Sequence, residues 1–138
     1  MRDLLRVGLV GIGQRGLQHL SEMVKMQRDE MIQITALADS YQDNLIDKKI
    51  KNFIPEYSSN EIEMFDGADG MIDSDLVDAI WFVIPPNQHN GEIEHAARKG
   101  IAIFAEKPQS LFLDDVINQN LVIKKSGVPS IVGFQMRY

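Results

Sequence analysis

The amino-acid sequence predicts a three-layer α/β protein, a single domain built on a doubly wound parallel sheet. Short apolar segments alternate with amphipathic helical segments along the chain, which is typical of parallel strands joined by helical crossovers. The first apolar segment is almost free of polar residues, as expected for a strand covered on both faces. The length of 138 residues corresponds to about one domain.

Six strands are predicted from the apolar runs. They cover residues 4–10, 32–38, 61–65, 77–84, 101–105 and 130–134. The third alternates polar and apolar residues, so we expect it near an edge of the sheet. Trp81 lies inside the fourth and is expected in the core.

About five helical segments fill the intervals between these strands. The third is weak and short, over residues 67–72. Asn87 is a preferred capping residue and is expected to begin the fourth helix, which Gly100 ends. The fifth is expected to begin at Asp114 or Asp115.

Composition excludes several functional classes. Fourteen basic and 20 acidic residues give a net charge of −6, which opposes nucleic-acid binding. No apolar run reaches the roughly 18–20 residues that span a bilayer, and the N-terminus does not resemble a signal peptide, so we expect a cytoplasmic protein without a membrane partner. Cysteine is absent, and the three histidines are scattered, so no metal site is predicted.

A glycine-rich loop directly follows the first strand and opens the first helix. Its sequence, G-x-G-x-x-G, is Gly11-Ile12-Gly13-Gln14-Arg15-Gly16. Gly11 permits a tight turn, Gly13 allows a pyrophosphate to approach the backbone, and Gly16 lets helix and strand pack closely. Asp39 follows the next strand, 23 residues after Gly16, and would accept hydrogen bonds from ribose hydroxyls. These features predict a Rossmann-type dinucleotide site; a turn without a ligand and an S-adenosylmethionine site are the alternatives.

The residues around Asp39 favour NAD over NADP. A carboxylate repels a 2′-phosphate, and the neighbours Ser40 and Tyr41 supply no cation to neutralise one. Arg15 argues in the opposite direction, because its side chain could reach a phosphate. NADP is nevertheless expected to bind less well than NAD.

Three further stretches follow predicted strands. They are Ile84-Pro85-Pro86-Asn87-Gln88-His89, Glu106-Lys107-Pro108 and Gly133-Phe134-Gln135-Met136-Arg137-Tyr138. With the glycine loop, they resemble the N-terminal NAD(P)-binding domain of the glucose–fructose oxidoreductase/inositol dehydrogenase/MocA (Gfo/Idh/MocA) family over essentially the whole chain. Ile84 departs from the pattern, because family members often have Thr or Ser there.

The resemblance implies an NAD(P)-dependent dehydrogenase that acts on sugars, polyols or related alcohols. Residues 1–138 would form its dinucleotide-binding domain, and a C-terminal substrate domain, which usually also makes homo-oligomer contacts, would be absent from this chain. An excised domain that binds cofactor without turnover is favoured over a natural short protein. The alternative is a non-catalytic dinucleotide-binding or redox-sensing module.

The resemblance also assigns roles to individual residues. Lys107 is the candidate catalytic residue, and Glu106 is expected to orient it or to contact the nicotinamide ribose. The Lys107–Pro108 bond is hypothesised to be cis. Pro85 and Pro86 would form the floor beneath the dinucleotide.

Four other residues carry open alternatives. Asn87 and His89 are either placed near the nicotinamide, or Asn87 caps a helix and His89 contacts solvent in its first turn. Gln135 and Arg137 line the pocket or the domain hinge, or Arg137 is a surface residue. The full cofactor-binding set is Gly11, Ile12, Gly13, Gln14, Arg15, Gly16, Asp39, Ser40, Pro85, Pro86, Asn87, His89, Glu106, Lys107 and Gln135. No role is predicted for His19 or His95, which lie on polar helix positions.

Overall fold

The computed structural model of the protein describes residues 3–134 and residue 136. Gln135 and Arg137, which were predicted to line the pocket or hinge, lie outside the described residues. All predicted strands and helices fall within them.

Within the described residues the sheet contains six strands, and every neighbouring pair is parallel. In chain order the strands are β1 (Leu5–Val10), β2 (Ile32–Ala38), β3 (Glu63–Phe65), β4 (Ala79–Phe82), β5 (Ala102–Glu106) and β6 (Ser130–Gly133). Across the sheet they run β3-β2-β1-β4-β5-β6, so the direction of winding reverses between β1 and β4. The predicted doubly wound sheet is confirmed, and β3 lies at an edge as expected.

Helices cover both faces of this sheet. Those in the described part of the chain are α1 (Gln14–Arg28), α2 (Asp47–Phe53), α3 (Ala68–Ile72), α4 (Glu92–Arg98) and α5 (Leu113–Ser126). Two 3₁₀ turns, Gln42–Leu45 and Pro86–Gln88, precede α2 and α4. None of the described helices combines the length and apolar character needed to cross a membrane.

The core is divided into two layers by the sheet. On one face Val7 and Leu9 of β1 pack with Leu20 of α1 and Ile50 of α2. On the other, Phe82 and Ile80 of β4 and Val10 of β1 pack with Met71 of α3 and Ile93 of α4. Because successive strand residues point to opposite faces, the continuous apolar strands fill both layers. Trp81, which was expected in the core, is only partly buried; it packs against the first of these layers and stacks on Phe104.

The start of α4 differs from the prediction. Asn87 lies within the 3₁₀ turn, and α4 begins only at Glu92. Gly91 directly precedes the helix and separates it from the turn; its φ of +82° places it in the left-handed region. The prediction that Asn87 caps this helix is therefore wrong, whereas Gly100, with φ +78°, follows its end as predicted.

Candidate functional site

Two adjoining cavities lie at the carboxyl ends of β1, β2, β4 and β5. The first has a volume of about 440 Å³ and reaches Asp39. The second, about 510 Å³, reaches Lys107. Gly13 and Pro85 line both cavities. In doubly wound sheets ligands bind at this edge, beside the point where the strand order reverses.

The three glycines of the loop make different contacts. Gly11 has a φ of +94°, and a Cβ there would lie 2.2 Å from the carbonyl oxygen of Val83. A Cβ on Gly16 would lie 1.9 Å from the carbonyl oxygen of Gly11, so only glycine allows α1 to pack this closely. The predicted roles of Gly11 and Gly16 in the turn and in packing are confirmed. Beside Gly13, by contrast, there is open space on the Cβ side.

The N-terminus of α1 opens onto the second cavity. Gly13 precedes the helix without a side-chain cap, and its first turn contains no acidic residue. Unpaired N–H groups and a partial positive charge at such a terminus favour an anion. Gln14 and Arg15 also line this cavity, whereas the side chain of Ile12 is 1% exposed and belongs to the core.

Asp39 is held by three hydrogen bonds at the end of β2. Its Oδ2 accepts the backbone N–H of Ile12 at 2.7 Å and the side-chain amide of Asn44 at 3.1 Å. Its Oδ1 accepts the backbone N–H of Tyr41 at 2.8 Å. The carboxylate is thus fixed beside the glycine loop, and Ser40 lines the same cavity.

The segment after β4 contributes a different set of residues from the predicted one. Pro85 lines both cavities and Pro86 the second, but Asn87 and His89 line neither. The His89 side chain is 6% exposed, so the alternative of a solvent contact is wrong. Glu92, which the sequence analysis missed, lines the first cavity.

His89 and Glu92 form a buried pair. Nδ1 of His89 donates to the Glu92 carboxylate, which also accepts the backbone N–H of Asn90 at 2.6 Å. Burial acts to raise the pKa of Glu92, but these hydrogen bonds outweigh it and hold the pKa below 4.5. Nε2 of His89 is buried without a hydrogen-bond partner among the described residues.

Glu106 ends β5 and contacts three other residues. Its Oε1 lies 2.7 Å from Nε2 of His19 and 3.0 Å from Nε of Arg15. Its Oε2 accepts the backbone N–H of Lys107 at 3.1 Å. Burial acts to raise the pKa of Glu106, but the bonds from His19 and Arg15 outweigh it, so the pKa lies below 4.5.

His19 is a residue of this site that the sequence analysis missed. Its ring is partly buried and packs edge-on against Phe104, with the ring centroids 5.4 Å apart. The available signal was its position four residues after Arg15, which places both side chains on one face of α1.

Lys107 is exposed and lines the second cavity together with Glu106 and Arg15. Its peptide bond to Pro108 is cis, which confirms that hypothesis. Among residues 3–134 and 136 no cluster of three or more His, Asp or Glu could hold a metal ion.

Comparison with known proteins gives a family match over nearly the whole chain. The model of the Gfo/Idh/MocA group, described as an oxidoreductase family with an NAD-binding Rossmann fold, matches residues 5–134. The chain is 29% identical over 134 residues to myo-inositol 2-dehydrogenase of Thermotoga maritima. That alignment covers 97% of this chain and 37% of the relative, so the chain spans little more than a third of the relative's length.

Solved structures share the fold. Scyllo-inositol dehydrogenase from Lactobacillus casei, with bound NAD(H) and scyllo-inositol, matches with a TM-score of 0.81 at 23% identity, over 98% of this chain and 37% of that one. A mutant 3-ketoreductase from Actinomadura kijaniata, in complex with TDP-benzene and NADP, matches with a TM-score of 0.74 at 21% identity, over 96% and 38%. Both cofactors therefore occur among proteins of this fold.

Proposed function

The chain belongs to the Gfo/Idh/MocA oxidoreductase family, and we propose that it binds NAD in preference to NADP at the edge beside Gly13 and Asp39. It would do so as the cofactor domain of an enzyme that transfers hydride between NAD and a sugar, polyol or related alcohol. The single observation that carries the cofactor preference is the fixed carboxylate of Asp39, with three donors holding it beside the glycine loop.

The residues at this edge fit a dinucleotide. The open space beside Gly13 leaves room for a pyrophosphate, and the uncapped N-terminus of α1 supplies N–H groups to it. Asp39 accepts a hydrogen bond from a ribose hydroxyl and repels a 2′-phosphate. When bound, NAD supplies the hydride chemistry, and the chain's own residues bind and orient it.

A polyol is the substrate class that the relatives support. The Thermotoga relative is named as a myo-inositol 2-dehydrogenase, and the Lactobacillus structure contains scyllo-inositol. Lys107 lies at the cavity where such a hydroxyl would be placed. Its ammonium group would donate a hydrogen bond to the hydroxyl oxygen and stabilise developing alkoxide charge.

The chain is proposed to bind cofactor without significant turnover on its own. The Thermotoga relative is more than twice as long, and the additional part would supply most of the substrate pocket and the contacts between subunits. Robust NADH production from a polyol by these residues alone would contradict this proposal.

The cofactor site is tested by thermal unfolding of the chain with NAD, NADP or S-adenosylmethionine. A ligand present at about 100 times its dissociation constant stabilises the fold by roughly 2.7 kcal/mol. We expect stabilisation by NAD, less by NADP and none by S-adenosylmethionine. Asp39→Ala should weaken the NAD effect, whereas Asp43→Ala, an exposed aspartate four residues away, should not. Equal stabilisation by NAD and NADP would contradict the cofactor preference.

A further inference from the structure

The side-chain amide of Asn44 connects a lysine to Asp39. Nζ of Lys49 donates to Oδ1 of Asn44 at 2.9 Å, and Nδ2 of Asn44 donates to Oδ2 of Asp39 at 3.1 Å. Asn44 itself lines the first cavity. The neighbours Ser40 and Tyr41 supply no cation to Asp39, whereas Lys49, ten residues along the chain, is linked to the carboxylate through this amide.

The chemistry of the two partners fixes the orientation of the amide. An ammonium group can only donate hydrogen bonds, so it requires the amide oxygen. An ionised carboxylate can only accept, so it requires the amide nitrogen. A flipped Asn44 side chain would lose both hydrogen bonds, and Lys49 therefore keeps the NH₂ group directed at Asp39.

The number of donors limits what Asp39 can still bind. A carboxylate has about four lone-pair sites, and three are used by Ile12, Tyr41 and Asn44. Oδ2 has two donors and Oδ1 has one, so the remaining acceptor capacity is on Oδ1. That capacity suits one hydroxyl group, and the three bonds prevent the carboxylate from turning away from an incoming anion.

We propose that Asn44 is a positioning residue for cofactor selectivity, which holds Asp39 so that it accepts a ribose hydroxyl and rejects a 2′-phosphate. The proposal rests on the proposed NAD site and adds a residue to it. Asn44 acts through Asp39, with Lys49 fixing its orientation.

The first test is equilibrium binding of NAD and NADP to the chain and to Asn44→Ala. We expect the dissociation constant for NAD to rise about fivefold while that for NADP does not rise, so that the NAD preference narrows. Asn52→Ala is the matched control, since Asn52 is an exposed asparagine on α2 outside the cavities. It should leave both constants unchanged.

A second readout needs no ligand. The N–H of Ile12 donates to the same Asp39 oxygen as Asn44 does, so its hydrogen exchange reports how firmly the carboxylate is held. Asn44→Ala should accelerate exchange of the Ile12 amide about threefold or more and leave core amides of β1 unchanged.

A third variant separates positioning from general damage. Asn44→Asp has the same shape, but its carboxylate cannot donate to Asp39, so exchange of the Ile12 amide should accelerate as it does in Asn44→Ala. Damage to the fold would accelerate exchange of the core amides of β1 as well.

The outcomes distinguish this inference from the proposed function. If the wild-type chain binds NAD selectively but Asn44→Ala changes neither the selectivity nor the Ile12 exchange, the positioning role is wrong and the NAD site stands. If the wild-type chain binds neither dinucleotide, the proposed function is wrong and the selectivity role fails with it.

Discussion

Nε2 of His19 lies 2.7 Å from Oε1 of Glu106, which joins α1 to the end of β5 across 87 residues of sequence. Arg15 binds the same carboxylate oxygen, and the other oxygen accepts the N–H of Lys107. Glu106 therefore connects the helix of the glycine loop with the turn that contains Lys107. Its two predicted roles, orientation of Lys107 and contact with the nicotinamide ribose, stay predictions.

The strength of the His19–Glu106 contact can be measured with a double-mutant cycle. We expect His19→Ala and Glu106→Ala to couple by about 1 kcal/mol in the free energy of unfolding, because both side chains are largely removed from water. The exposed Glu22–Lys25 pair on the same helix is the control, and its coupling should be about 0.3 kcal/mol. Equal couplings would show that the His19–Glu106 contact is no stronger than a surface ion pair.

Gly16→Ala should lower the stability of the fold, whereas Gly13→Ala should mainly weaken NAD binding. Gly16→Ala places a Cβ against the backbone of Gly11 and should destabilise the fold by about 3 kcal/mol or more in urea unfolding. Gly13→Ala meets open space, so it should change stability by about 1 kcal/mol or less. It should nevertheless weaken NAD binding at least tenfold if a pyrophosphate lies there. A folded Gly13→Ala protein with unchanged NAD affinity would argue against that position.

The buried Glu92 predicts acid sensitivity. Its pKa in the folded state lies below 4.5, so the stability it contributes is present above about pH 4.5. That stability is lost as the pH falls through the lower, folded value. At pH 7, Glu92→Gln should cost about 2 kcal/mol, because His89 loses a charged acceptor.

Urea unfolding at pH 7, 5, 4 and 3 checks this prediction. The fall in the free energy of unfolding below pH 4.5 should be smaller in Glu92→Gln than in the wild type. Glu22→Gln is the matched control, since Glu22 is exposed on α1, and its profile should follow the wild type. If Glu92→Gln has the wild-type pH profile, Glu92 does not account for the acid sensitivity.

The sequence predicted the fold well because local patterns determine it. Continuous apolar runs fixed β1 and β2 as buried strands, and the alternating run correctly placed β3 at an edge. The glycine pattern located the turn before α1, since Gly11 has a φ of +94° and the contact that requires Gly16 is with the backbone of Gly11, five residues earlier. Gly91 was not recognised as a break, and Asn87 was therefore assigned to the wrong element.

The site was predicted less completely because its side-chain pairs depend on long-range packing. His19 and Glu106 meet only when α1 lies against β5, and no periodicity indicates which strand end a helix residue will reach. Asn44 and Lys49 are close to Asp39 in sequence, but the 3₁₀ turn before α2 is what brings the amide back to the carboxylate. Motifs located the loop, Asp39 and Lys107, and the groups that hold them in place appeared only in the structure.

Substitution of Lys107 distinguishes an effect on NAD binding from an effect on the catalytic step. Its ammonium group is proposed to act on a substrate hydroxyl, and Lys107 also belongs to the predicted cofactor-binding set, so Lys107→Met in this chain should raise the dissociation constant for NAD by about fivefold or less. In a longer protein that contains this chain and turns over a polyol, the same substitution should lower kcat by about 10²–10⁴. Lys125→Met, on the far end of α5, is the control and should leave kcat unchanged. Near-normal turnover by Lys107→Met would contradict the catalytic role, whereas loss of NAD binding would assign Lys107 to the cofactor instead.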